Sequence, residues 1–118
     1  MRRSLAAAAV LVSTLGGLTA CGGDDEPAAS SEPKTIEITF DGDSVTPNGE
    51  RVEVGVDQPI DLVVQADAPG EIHVHSEPEQ EFPFEEGETT IEMQIDKPGV
   101  VEVESHDLDV VIVQLEVR

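Results

Sequence analysis

From Thr35 to the end of the chain, apolar residues recur at every second position. Ile36, Ile38 and Phe40 alternate with Glu37 and Thr39, and Val52, Val54 and Val56 alternate with Glu53 and Gly55. Ile60, Leu62, Val64 and Ala66 follow, with Val63 added to make a fuller apolar stretch. Then come Ile72 and Val74; Ile91, Met93 and Ile95; Val101 and Val103; and Val111, Val113, Leu115 and Val117. A period of two marks strands with one buried face, whereas an amphipathic helix repeats every 3.6 residues. Turn-forming groups separate the runs: Asp41-Gly42-Asp43, Pro47-Asn48-Gly49, Asp57-Gln58-Pro59, Ala68-Pro69-Gly70, Glu86-Gly87 and Lys97-Pro98-Gly99. Short strands at this spacing predict an all-β domain, an antiparallel sandwich or small barrel, with no helix.

The first third of the chain has no such period. MRRSLAAAAVLVSTLGGLTAC begins with Arg2 and Arg3, runs through an apolar stretch from Leu5 to Leu18, and closes on Leu18-Thr19-Ala20-Cys21. That is the layout of an export signal, too short for a comfortable membrane span. Its end resembles the lipobox of bacterial lipoproteins. The resemblance implies cleavage after residue 20 and acylation of Cys21, which would anchor the protein on the outer face of the cell membrane. An ordinary secretory signal ending in cysteine is the alternative. Arg2-Arg3 fits either a plain basic start or the twin-arginine route. Residues 22–34, GGDDEPAASSEPK, are small, acidic and proline-punctuated, a composition expected of a flexible tether. The division is thus a signal at 1–20, an anchor and tether at 21–34, and one domain at 35–118.

Composition narrows the chemistry. The chain carries 26 acidic and 6 basic residues, a net charge of −20, and loss of Arg2 and Arg3 with the signal would make it −22. Such a surface repels nucleic acid and anionic lipid, and like charge favours a monomer. Cys21 is the single cysteine, so the domain has neither a disulfide nor a thiolate metal ligand. No D-x-D-x-D-G calcium loop is present, nor a phosphate loop or a recognisable nucleophile–base set. An enzyme is not expected.

The order of elements resembles a cupredoxin-like domain. VTPNGERVEVGVDQPIDLVVQAD, residues 45–67, is similar to its front half and KPGVVEVESHDLDVVIVQLEV, residues 97–117, to its back half. The resemblance implies a Greek-key β-sandwich of about seven to eight strands. In metal-binding relatives it also implies a copper site built from two histidines, a cysteine and usually a methionine. Counting from Gly99, the cysteine position falls on Ser105, and 107–118 contain neither His nor Met. Serine supplies no thiolate, so blue-copper electron transfer is not expected.

The remaining chemistry lies in EIHVHS, residues 71–76, with two of the three histidines, and in His106. Alternate strand residues share a face, so His73 and His75 point together, away from Ile72 and Val74. The same alternation sends Glu102, Glu104 and His106 outward. In the resembled fold these two strands are antiparallel neighbours, which implies that the three imidazoles gather on one outer face. Such a group suits Zn²⁺ or Cu²⁺, with Glu71 or Glu104 completing the site. The alternatives are a metal-free domain that binds a protein partner and a histidine-based pH sensor. For partner binding, Phe82 and Phe84 offer an apolar contact on an acidic loop, unless both rings close the sandwich.

Overall fold

The computed structural model describes residues 31–118. The expected export signal, Cys21 and the expected tether as far as residue 30 lie outside the described residues. Among those described, nine strands and no helix form a two-layer sandwich: β1 Lys34–Asp41, β2 Ser44–Thr46, β3 Glu50–Val54, β4 Ile60–Ala66, β5 Gly70–Val74, β6 Gln80–Phe84, β7 Gly87–Met93, β8 Gly99–Ser105 and β9 Val110–Val117. One sheet runs β2-β1-β4-β7, the other β3-β9-β8-β5-β6.

The sheets are mixed rather than purely antiparallel. β1 pairs parallel with β4, and β3 pairs parallel with β9. Between β1 and β4 the chain crosses to the opposite layer to lay down β3, so β4 returns beside β1 in the same direction. This is the Greek-key exchange between layers that the resemblance implies. The domain begins slightly earlier than its sequence suggests, because the β1 ladder starts with Lys34 opposite Ile60. The Lys34 amide donates to Pro59 O at 2.8 Å, and Gln58 Nε2 donates to Glu32 O at 2.9 Å.

The period-two residues meet between the layers. Ile38, Ile60, Leu62, Val64, Ile72, Val74, Val103 and Leu115 are fully buried, and Met93 joins them as core. Two strands, β2 and β6, lie outside the seven period-two runs, and each has a physical reason. β2 holds one apolar residue, Val45, opposite Phe40, too little to give a period. β6 contains Pro83, which cannot donate to a ladder and is tolerated because β6 is an edge strand. The last strand also departs from strict alternation. Val103 opposes Val113 while Glu104 opposes Val111, so Ile112 forms a bulge and both Ile112 and Val113 are buried.

Phe84 lies in the core, its ring 4.8 Å from that of Phe40. A Cβ at residue 70 would stand 2.6 Å from the Phe84 ring, so Gly70 is what admits the ring. Phe82 is half-buried against the same core. The pair therefore closes one end of the sandwich, which leaves Phe84 unavailable to a partner.

Candidate metal centre

β5 and β8 are antiparallel neighbours, with His73 opposite Glu104 and Val74 opposite Val103. One step further, the His75 amide donates to Glu102 O at 2.9 Å. Ile72 and Val74 fill the core, so the alternate residues His73 and His75 stand on the outer face, together with Glu104. His106 is the first residue after β8. It opens the turn to β9, which is closed by the Asp109 amide donating to His106 O and by Asp109 at φ 53°. That turn leaves the His106 ring free to lean back over β5.

The three rings form a stack with His73 in the middle. Its centroid lies 4.4 Å from that of His75 and 4.7 Å from that of His106, while the outer two stand 6.0 Å apart. An outward histidine on a sheet is ordinarily a surface residue, yet His73 is only 8% exposed. Its neighbouring imidazoles cover it. His73 Nδ1 faces His106 Nε2 in direct contact. One ligating nitrogen from each of the three residues falls within 4.8 Å of the others. Nitrogens held at ~2.0–2.1 Å around a tetrahedral ion stand roughly 3.3 Å apart, a spacing of the same order.

Two carboxylates bracket the stack. Glu104 Oε2 lies 2.7 Å from His75 Nε2, and its other oxygen lies 3.7 Å from His106 Nδ1. The Glu104 hydrogen bond raises the His75 pKa above its ordinary 6.5, and Glu104 and Glu79 charge adds to the effect against partial desolvation. Glu79 lies on the other side, with Oε2 3.3 Å from His73 Nε2 and Oε1 3.6 Å from His75 Nδ1. Sequence reasoning missed Glu79. The signal was present, because a tight hairpin after Val74 sets Glu79 on the face of His75. Seeing it required placing β6, whose ladder begins with Val74 opposite Gln80. Glu71 is not part of the group: it is exposed, sits across from Pro83 and makes no ion pair with the histidines.

The donor set fits Cu²⁺ or Zn²⁺: three borderline nitrogens, adjacent hard oxygens and no sulfur. Two carboxylates beside the imidazoles favour an added cation. Ser105 is not in this set. It follows Val101 and Val103 on the inner face of β8 and is 2% exposed. It borders a cavity of about 70 Å³ lined also by Phe40, Gly70, Phe84 and Leu108. The position where the cupredoxin pattern sets its cysteine and the position of His106 are adjacent in sequence but face opposite sides of one sheet.

Fold and cluster together define a cupredoxin-like β-sandwich with a three-histidine group outside its core. No family model matches the chain, and neither does any curated protein. Among solved structures, it is similar to a variant of amicyanin in its Cu(I) form, at TM-score 0.54 and 9% identity over 71% of this chain and 82% of that one. A second amicyanin variant, also in a Cu(I) form, gives 0.54 and 10% over 78% and 87%. A purple cupredoxin from Nitrosopumilus maritimus gives 0.52 and 18% over 72% and 99%. Likeness at these identities establishes the fold.

Proposed function

We propose that this protein binds a divalent transition metal, Cu²⁺ or Zn²⁺, through His73, His75 and His106. In this reading it is held by a lipid on Cys21 at the extracytoplasmic face of a bacterial membrane. It would bind the ion without blue-copper electron transfer and without catalysis. The observation that carries the reading is the convergence of all three histidines onto one sheet face, with their ligating nitrogens within 4.8 Å. Burial of His73 supports it. Its Nε2 is shielded from solvent and has no hydrogen-bond partner, an arrangement costly in a purely structural residue. The Cu(I) forms of the amicyanin neighbours support copper as one of the ions to test. The export signal with its Leu18-Thr19-Ala20-Cys21 end supports the location.

Calorimetric titration of the purified protein with Cu²⁺ and with Zn²⁺ tests the binding. Saturable one-site binding that disappears in His75→Ala/His106→Ala is expected. Weak binding that survives the double substitution would mean diffuse attraction to an acidic surface and would end the proposal. The anchor is tested separately by cell fractionation: Cys21→Ser should move the protein out of the membrane fraction.

A further inference from the structure

His73 has two ring nitrogens in different surroundings. Nδ1 is in direct contact with His106 Nε2. Nε2 is closed to solvent, and Glu79 Oε2 lies 3.3 Å from it. That contact is too poorly directed to count as a hydrogen bond. A neutral imidazole that gives one nitrogen to a metal carries its proton on the other. If the ion enters where the histidines meet, His73 ligates through Nδ1, and a buried Nε2–H is left needing an acceptor.

We propose that Glu79 is that acceptor, a positioning residue that fixes the tautomer and ring orientation of His73 for metal binding. The inference rests on the metal reading above. The hairpin explains how Glu79 reaches the site. Val74 opposite Gln80 closes the β5–β6 connection, and continuing that ladder one step sets Glu79 opposite His75. The connection is held by Ser76 Oγ donating to Pro78 O at 2.7 Å and Gln80 Nε2 donating to Ser76 Oγ at 3.0 Å. Glu79 therefore lies over the two histidines of β5, and its carboxylate straddles them. Outer carboxylates of this kind orient ligating imidazoles and raise their basicity.

The side chain of Glu79 is 64% exposed, so its replacement should leave the metal-free fold and its thermal midpoint unchanged. Zinc is the probe, because the Zn²⁺ form is diamagnetic. Glu79→Ala should weaken Zn²⁺ binding by about tenfold to a hundredfold, the usual range for an outer-shell partner. Glu79→Gln, whose amide oxygen still accepts, should bind more tightly than Glu79→Ala. Nitrogen-15 spectra of the zinc-loaded protein should show His73 metal-bound at Nδ1 and protonated at Nε2, with that proton exchanging faster in Glu79→Ala. Wild-type affinity in Glu79→Ala, equal losses in the Ala and Gln variants, or His73 bound through Nε2 would each overturn the role of Glu79 and leave the metal centre standing. Wild-type protein that binds no Zn²⁺ or Cu²⁺ would overturn the centre itself.

Discussion

β5 and β8 present two faces with opposite chemistry. Inward, Ile72, Val74, Val103 and Ser105 are buried, and Ser105 shares a small cavity with Phe40 and Phe84. Outward, one residue along in each case, His73, His75, Glu104 and His106 form a polar stack. A strand shifts between these environments at every peptide unit, so neighbours such as Ser105 and His106 belong to unrelated parts of the molecule. The lesson is that a cupredoxin-like frame does not fix on which face of the sheet histidines gather. At the inner position there is now a hydroxyl beside aromatic rings, and the nitrogen donors stand on the far side of the sheet.

If the two faces are separate, each can be broken alone. The largest effect is expected inside. Phe84→Ala removes a buried ring packed on Phe40 and opens a cavity beside Gly70, which should cost about 3–5 kcal/mol of stability. Urea denaturation measures this, and the folded variant should still bind metal. A small loss would mean that the end of the sandwich collapses around the vacancy. Outside, His106→Ala takes away a proposed ligand whose side chain is 55% exposed. Affinity for Cu²⁺ should fall by at least the ~100-fold upper end seen for outer-shell partners, or about 2.7 kcal/mol, with the metal-free thermal midpoint unchanged. Coupled losses in both measurements would show that the faces are not independent.

How far each face could be read from sequence follows from the same alternation. Ile36-Ile38-Phe40 and Ile60-Leu62-Val64 declare an all-β core because every second residue is apolar, and they are buried as that period requires. His73 and His75 declare a shared face for the same reason. The period fails where a segment is short or carries its own signal for a turn. β2 has Val45 alone, and β6 alternates glutamate with phenylalanine around Pro83 and reads as an acidic loop. With β6 unplaced, Glu79 was not visible, and burial of the Phe82 and Phe84 rings stood beside partner binding as one of two readings. The burial of His73 was not visible either, since part of its cover comes from His106, which is distant in sequence. The bulge at Ile112 escaped because Ile112 and Val113 are both apolar, and either could face the core.

A smaller effect sharpens the inner half of the comparison. Ser105→Cys restores a thiol where the cupredoxin pattern sets one, but on the face without histidines. Adding Cu²⁺ should therefore produce no intense visible thiolate-to-copper band, because no imidazole shares the Ser105 cavity. The swap is nearly isosteric, so stability should change by about 1 kcal/mol or less. Appearance of a blue or purple colour would mean that donors from the outer face reach across the sheet, and the separation argued above would fall.

The smallest effect belongs to the metal-free outer face and is read against pH. The hydrogen bond from His75 to Glu104 raises the His75 pKa in the folded protein above 6.5. A proton is therefore held more tightly in the folded than in the unfolded chain. The resulting stabilisation is complete below the unfolded value of about 6.5 and disappears as pH rises through the folded value. Because His75 remains about one-third exposed, solvent screening keeps this to a few tenths of a kcal/mol, or roughly 2 °C in thermal midpoint. The chain carries 26 acidic residues, so the quantity to measure is a difference. In chelator-treated protein, the midpoint of wild type minus that of Glu104→Gln should shrink between pH 6 and pH 8. A difference that grows over that interval would mean that Glu104 acts on the neutral ring, as an acceptor that does not need the histidine charged.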